Sequence, residues 1–282
     1  DQNGTLGALS PGECTVTAVC GNASASARFV VATPVETVKS ALNDVYLDKT
    51  TKTADATKFV FVYPKNATNT ALTWKSSDST IAKVSDKGVI TALKKGTTVI
   101  TATAHNGISA IFTVHAVTDG TVIRTQSVSP TYAALAVGGK TVLTASQTGG
   151  TGAYRTGTFY CDNSSVLSLS ISGNQCTVTA LKPGEANVYA ISSSGRVAVC
   201  EVLVKPRFVQ SLTLSPNALS LNRGETAKLD ISFTPANATE RTFRFASSNP
   251  AVATVSEDGT VTAVSAGTAE ITVYTEDGVT SN

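Results

Sequence analysis

Alternating apolar and polar positions define three short predicted strands within residues 247–278. The strands are Val252–Val255, Thr260–Val264 and Ala269–Thr275, and an Asp-Gly turn at 258–259 separates the first two. Alternation with a period of two, interrupted by Asp-Gly, is typical of a β-hairpin. The stretch is therefore predicted to be a piece of antiparallel sheet.

The same pattern recurs along the chain at a nearly constant interval. A glycine that follows the second strand of the pattern is found at four places, 84, 88 and 83 residues apart, and an apolar residue stands four positions after each. These glycines are Gly12, Gly96, Gly184 and Gly267. Self-similarity at a fixed period indicates a tandem array, here of units of roughly 85 residues.

We divide the chain into four predicted parts on this basis. Residues 1–32 hold the C-terminal part of a repeat, and residues 33–116 form a complete one, called repeat 1. Residues 117–204, repeat 2, are divergent, with several Cys and a Gly-rich loop. Residues 205–282, repeat 3, end before a last strand is complete. Each unit is expected to unfold independently, since tandem units contact only their neighbours.

One segment of repeat 1 has an ambiguous pattern. Val38, Leu42 and Val45 keep helical spacing within 36–48. The corresponding stretch of repeat 3, residues 209–221, contains a proline. Because proline interrupts a helix, strands are predicted at both places.

Composition narrows the function classes. Net charge is +2, from 22 basic and 20 acidic residues, without the basic footprint of a nucleic-acid-binding protein. No apolar run reaches the ~18 residues needed to span a bilayer. The sequence has no Met and no signal peptide at its start, which indicates a mature or excised segment. Composition thus indicates neither nucleic-acid binding nor a membrane span, and it leaves the cellular location open.

Short motifs add a family resemblance to this pattern. They are Pro-x-Asn-Ala-Thr at 64–68 and 235–239, an aromatic residue followed by Ser-Ser-Asp/Asn, and Ala-x-Val-Ser-x-x-Gly-x-Val/Ile-Thr-Ala at 82–92 and 253–263. Together they resemble the bacterial immunoglobulin-like group 2 family, found in intimin- and invasin-like adhesins and some phage virion proteins. The resemblance implies all-β, tandem immunoglobulin-like sandwiches in an elongated array, with no catalytic or cofactor residues. Repeat 2 departs from it by lacking Pro-x-Asn-Ala-Thr.

Three aromatic side chains stand at one offset within the repeats. Trp74, Phe159 and Phe245 each precede the Ser/Asp-Ser/Asn pair of their unit. A large aromatic at a fixed strand position is most simply a plug between the two sheets of a sandwich.

The chain has five Cys, and none forms a Cys-x-x-Cys pair that would indicate zinc. Cys14 and Cys20 lie six residues apart on one predicted strand, about 20 Å at ~3.3 Å per residue, too far for a disulfide. A bridge within 117–204 is expected, and Cys161–Cys176 is the favoured pair.

Other candidate chemistry has little support. His105 and His115 have no accompanying nucleophile motif, and no catalytic residue is predicted. Asp44, Asp48 and Asp55 lack the spacing of a calcium loop, and a solvated face is preferred for them over a metal site.

Two function classes remain. A stalk that holds an adhesive domain away from a bacterial cell surface is favoured by the short linkers stiffened by Pro34 and Pro206. The alternative is a binding or decoration module on a phage virion, or an accessory repeat of a secreted enzyme. The divergent loop 147–157 carries Tyr154 and Arg155, residue types enriched at interface hot spots. They are the candidate contacts for a protein or glycan on a host or neighbouring cell, with no nucleic acid and no membrane insertion expected.

Overall fold

The computed structural model describes residues 4–117, 122–150, 157–276 and 278–281. Over these residues the chain is all-β, as predicted, apart from one 3-10 turn at Ala56–Lys58. The N-terminal segment is a hairpin of β1 (Gly12–Cys20) and β2 (Ala23–Val31), whose side chains are almost all exposed. An ion pair between Arg28 and Glu13 crosses its polar face.

Repeat 1 contains nine strands in two opposed layers. One layer is a four-stranded sheet in the order β4-β11-β10-β7, and the other consists of β3-β6 and β5-β9-β8. The strands are β3 (Thr37–Ser40), β4 (Asp44–Leu47), β5 (Thr53–Asp55), β6 (Val60–Tyr63), β7 (Leu72–Ser76), β8 (Ala82–Val84), β9 (Val89–Ala92), β10 (Gly96–Ala104) and β11 (Ser109–Ala116). Strands β3 and β4 confirm the extended assignment of 36–48 over the helical one.

In its described residues, repeat 2 has eight strands in two four-stranded sheets. Their orders are β12-β14-β17-β16 and β13-β19-β18-β15. The strands are β12 (Ile123–Ser129), β13 (Tyr132–Ala136), β14 (Lys140–Gly149), β15 (Gly157–Cys161), β16 (Leu167–Ser172), β17 (Gln175–Ala180), β18 (Gly184–Ser192) and β19 (Val197–Lys205).

Repeat 3 follows the same order with shorter sheets. These are β20-β22, β21-β25-β24 and β23-β26-β27. The strands are β20 (Ser211–Ser215), β21 (Thr226–Lys228), β22 (Asp230–Thr234), β23 (Phe243–Ser247), β24 (Ala253–Val255), β25 (Thr260–Ala263), β26 (Ile271–Thr275) and β27 (Thr280–Ser281). Strands β24 to β26 lie within one or two residues of the three predicted from the opening pattern.

A long hairpin recurs with the same register along the chain. The corner glycine at the start of its first strand pairs with the far end of the second strand, as Gly96 with Ala116 and Gly184 with Val204. Gly12 pairs with Val31 in the same way. The β1–β2 hairpin therefore has the same pairing as the last hairpin of repeats 1 and 2, and the assignment of 1–32 to part of a repeat stays a prediction.

Each repeat has an apolar core between its layers, and the predicted aromatic residues contribute to it. Phe159 is 6% exposed within the core of repeat 2. Trp74 and Phe245 are partly buried against the cores of repeats 1 and 3. These three side chains therefore act as the expected plugs.

The cores differ in how self-contained they are. The core of repeat 3 draws its members from 209–279, and that of repeat 2 from 128–204. The core of repeat 1 also includes Ile191 and packs against Tyr160, Tyr189 and Val197, all of them from repeat 2. Repeats 1 and 2 therefore share an apolar cluster, while the expected independent unfolding of the units stays a prediction.

Candidate functional site: the junction of repeats 1 and 2

The turn between β18 and β19, residues 191–196, enters the core of repeat 1. Ile191 is 1% exposed, and the hydroxyl-bearing Ser192 and Ser194 are fully buried. Turns normally lie at the surface because their backbone polar groups need water. Burial of this turn therefore requires that repeat 1 and the start of repeat 2 satisfy its polar groups.

Hydrogen bonds from both repeats satisfy most of these groups, while the buried Nε of Arg196 has no partner among the described residues. The Tyr46 backbone N–H of β4 donates to the Ser193 carbonyl oxygen over 2.8 Å. The Ser194 hydroxyl donates to the Ile123 carbonyl oxygen at 2.7 Å. The Arg196 guanidinium donates to the Thr53 carbonyl oxygen at 3.1 Å. The turn is thus held by backbone groups at three places, two of them in repeat 1.

Gly195 of repeat 2 lies against the core of repeat 1. Its φ of +72° lies in the left-handed region that favours glycine. A Cβ atom there would lie 2.8 Å from Cε1 of Phe59 and 3.2 Å from Cβ of Ala54. Phe59 is fully buried. Both the backbone angle and the contact with the core of repeat 1 therefore require glycine.

Asp48 joins the end of β4 to the first residues of repeat 2. It is 3% exposed. Its Oδ1 accepts from the backbone N–H groups of Thr50 and Thr51, at 2.9 and 2.6 Å, and its Oδ2 accepts from that of Val122 at 3.4 Å. The buried Asp48 carboxylate thus hydrogen-bonds to backbone groups of both repeats and holds Val122, at the start of repeat 2, against repeat 1.

An aromatic cluster forms the second half of the junction. Phe61 of β6 stacks on Tyr160 of β15, with ring centroids 4.4 Å apart, and meets the edge of Tyr189 at 5.0 Å. The hydroxyls of Tyr63 and Tyr160 hydrogen-bond at 2.8 Å. The Lys39 ammonium lies 5.4 Å from the Tyr160 ring centroid, on the repeat 1 side. Stacked and edge-on aromatic pairs add about 0.5–1.5 kcal/mol each beyond their burial.

Asp162 is the charged centre of this cluster. Its side chain is 2% exposed and pairs with Lys65 of repeat 1, Nζ to Oδ2, at 2.6 Å. Within repeat 2 the carboxylate accepts from the Asn187 backbone N–H at 2.8 Å, the Asn187 amide at 3.0 Å and the Tyr189 hydroxyl at 3.3 Å. A buried carboxylate is tolerated only with such partners. Repeat 2 supplies the neutral hydrogen-bond donors, and Lys65 of repeat 1 supplies the opposite charge.

The protonation states follow from these contacts. Burial opposes ionisation of Asp162, but the hydrogen bonds from Lys65 and Asn187 together outweigh it and hold the pKa of this carboxyl below its ordinary value. Burial, with the nearby Asp162 charge, raises the pKa of Tyr189 to about 12. Burial and the hydrogen bond to Tyr160 also raise the pKa of Tyr63. At neutral pH the cluster therefore holds one carboxylate among neutral phenols.

The predicted acidic and histidine candidates are dispersed. Asp44 pairs with His115 at 2.7 Å between Oδ1 and Nε2, while Asp48 lies in the junction and Asp55 caps the 3-10 turn. His105 is exposed in the β10–β11 turn. Across the described residues, no group of three or more His, Cys, Asp or Glu is arranged to hold a metal ion. Each of the three Asp residues has its own structural partners.

All five Cys are free thiols, so the expected Cys161–Cys176 bridge is not formed. Cys176 and Cys200 are fully buried in the core of repeat 2, and Cys161 packs against that core. Burial, with the nearby Cys161, raises the pKa of Cys176 to about 11. These thiols therefore serve as small apolar core residues.

Tyr154 and Arg155 lie outside the described residues, so their predicted role as partner contacts stays a prediction. The structure instead identifies residues that sequence reasoning passed over, chiefly Lys65, Asp162 and Gly195. The available signal was weak: Lys65 falls in a motif of the family, and 192–195 reads as an ordinary Ser-Gly turn. Only the pairing of two repeats gives these residues partners.

The family comparison agrees with this architecture. The chain matches the bacterial Ig-like domain (group 2) family over residues 44–121, 122–202 and 208–282. These three stretches make up well over half of the chain, which therefore belongs to that family.

Two curated relatives match parts of the chain. One is an A type blood N-acetyl-alpha-D-galactosamine deacetylase of Flavonifractor plautii, 42% identical over 72 residues, which are 26% of this chain and 9% of the enzyme. The other is an uncharacterized protein of Clostridium acetobutylicum, 36% identical over 148 residues, 51% of this chain and 15% of that protein. The chain thus spans only a small part of either relative.

Solved structures with similar folds are distant. Domains 4 and 5 of the S-layer protein SbsC match with a TM-score of 0.27 and 15% identity, covering 61% of this chain and 99% of theirs. The extracellular domain of Protocadherin GammaB4 matches with a TM-score of 0.27 and 14% identity, covering 95% of this chain and 53% of its own.

Within the described residues, no helix is long and apolar enough to cross a membrane.

The Gly195→Ala variant tests the close approach at the junction. Overpacking against Phe59 should lower the unfolding free energy by about 1–3 kcal/mol, measured by chemical denaturation. Gly173→Ala is the matched control, because Gly173 also has a positive φ of +58° in a turn of repeat 2, but its Cβ would meet nothing within 4 Å. An equal loss of unfolding free energy in the two variants would show that only the positive φ is costly. It would contradict a close contact between residue 195 and Phe59.

The pH dependence of stability tests Asp162. A lowered pKa in the folded state means that ionised Asp162 contributes stability above its unfolded value of about 3.9. That contribution should be complete at pH 7 and disappear as the pH falls below about 4. Wild type should therefore be more stable than Asp162→Asn at pH 7, with a margin that closes in acid, as followed by thermal unfolding. Asp86→Asn, at an exposed site, is the control; a margin unchanged down to pH 3 would contradict this reading.

Proposed function

We propose that this chain is a spacer segment of a bacterial surface protein, in which repeats 1 and 2 act as one rigid block. The observation that carries the proposal is the buried β18–β19 turn. A turn sealed inside the neighbouring repeat fixes the angle between the two units. A spacer that must present another domain at a set distance benefits from such stiffness.

The rest of the chain supports a mechanical role over a chemical one. The two buried carboxylates of the described residues, Asp48 and Asp162, are hydrogen-bonded within the junction and have structural partners. Repeat 3 is joined through Lys205-Pro206, where the proline restricts the backbone. Family membership agrees with this role, since the matched repeats are Ig-like modules. Location at the cell surface is part of the same proposal.

A second candidate function is an accessory region of a secreted enzyme. The match of 72 residues to the Flavonifractor plautii deacetylase favours it, because that protein combines a related segment with an enzymatic activity in its name. In both cases the repeats position another domain, and the loop with Tyr154 and Arg155 is the proposed contact for a protein or glycan partner. The two cases differ in what the full-length protein carries.

Small-angle X-ray scattering of the whole chain tests the spacer role. A compact 282-residue particle should have a radius of gyration of about 19 Å. Repeats held in series give a clearly larger value and a scattering profile with a long maximum dimension. A radius of gyration close to 19 Å would mean that the repeats fold back on one another, and the spacer function would be rejected.

A further inference from the structure

One core position is polar in repeat 2 and apolar in repeats 1 and 3. In each repeat the first strand pairs with the strand that precedes the Pro-x-Asn-Ala-Thr motif or the segment that replaces it. These pairs are β3–β6, β12–β14 and β20–β22. Two residues before that motif, the facing pair is Val38–Val62 in repeat 1 and Leu212–Phe233 in repeat 3. In repeat 2 the facing pair is Gln126–Gln147.

The two glutamines share the inner face of their strands. The next residues on that face, Val128 and Ala145, are 5% and 8% exposed in the core. Gln126 and Gln147 are half-buried, and the Gln147 amide donates to the Gln126 amide oxygen at 2.9 Å. Because apolar side chains fill this place in the other repeats, the amide pair is not required by the fold.

A cavity of about 580 Å³ opens beside this pair. The residues that line it include both glutamines, Thr158, Asn174, Phe159 and Ile191. Gly173, in the turn between β16 and β17, also lines the cavity, and a Cβ there would meet no atom within 4 Å. The cavity is therefore open at this turn.

The chemistry of the cavity is neutral and rich in hydrogen-bonding groups. Among the described residues that line it, none is charged. A primary amide offers two donors and an acceptor with two lone pairs. The Gln147 carbonyl oxygen has no hydrogen-bond partner among the described residues, since its amide group bonds only through Nε2. Asn174, bonded through Nδ2 to the Ala145 carbonyl oxygen at 3.2 Å, is held at the rim.

We propose that this cavity binds a neutral sugar residue. Each sugar hydroxyl both donates and accepts a hydrogen bond, and the side chains of Gln126, Gln147, Asn174 and Thr158 offer both kinds of group. Pockets of about 300–1,000 Å³ with a few placed polar groups are typical of small-ligand sites. A charged ligand is disfavoured because the described residues that line the cavity supply no countercharge. The site is additional to the spacer role and does not depend on it.

Saturation-transfer-difference NMR on the whole chain tests the site. The probes are glucose, galactose, N-acetylglucosamine and N-acetylgalactosamine, with galacturonate and glucosamine as charged counterparts. At least one neutral sugar should receive saturation from the wild-type protein. The charged sugars should receive less.

The variant Gln126→Leu/Gln147→Phe installs the pair found in repeat 3. It should keep or raise the melting temperature, because replacing both partners of a buried hydrogen bond by apolar groups is close to neutral or stabilising. It should weaken sugar binding at least about tenfold. Gln175→Leu removes an exposed amide of the same repeat outside the cavity and should bind as wild type does.

A second measurement does not depend on the variants. Titration of ¹⁵N-labelled wild type with the same sugars should shift the side-chain amide signals of Gln126, Gln147 and Asn174. Shifts confined to other residues, absence of saturation transfer from all four neutral sugars, equal binding of charged sugars, or unchanged binding by the folded double variant would each overturn the proposal.

Discussion

The arrangement of repeats 1 and 2 depends on burial of a single turn. Ile191 and the three serines after it occupy a place where a surface loop would normally contact water. Withdrawing that turn would expose Phe59 and leave buried backbone groups without partners, so the two repeats stay together for the same reason that each sandwich stays folded. Apolar contact supplies the attraction, and the hydrogen bonds of Ser193 and Ser194 set the orientation.

Charge and aromatic packing reinforce this constraint at a second point. Asp162 is held by donors of its own repeat and is completed by Lys65 across the junction. An ion pair of this kind contributes orientation more than stability, since desolvation offsets much of its Coulomb energy. With the Phe61–Tyr160 stack alongside, the junction has two separated attachment points, which resist rotation better than one.

Sequence reasoning predicted the fold well because its signals are local. Strand alternation, Asp-Gly turns and the repeated corner glycine depend on neighbours within a few residues, and β24 to β26 lie where the pattern indicated. The junction could not be predicted in this way. Lys65 and Asp162 are 97 residues apart in the sequence. Glycine is required at position 195 because Phe59 of another repeat lies against it. In the sequence, Gln126 and Gln147 of repeat 2 have no distinguishing feature. Only the strand register shows that they occupy the place of a Val–Val pair in repeat 1 and a Leu–Phe pair in repeat 3.

Residual dipolar couplings of the backbone amides test the central claim most directly. Couplings report the orientation of each repeat in a weakly aligning medium, without any change to the protein. If repeats 1 and 2 form one rigid block, a single alignment tensor will fit the couplings of both. Two tensors of clearly different magnitude or orientation for residues 35–117 and 122–204 would show that the repeats move independently and would contradict the rigid junction.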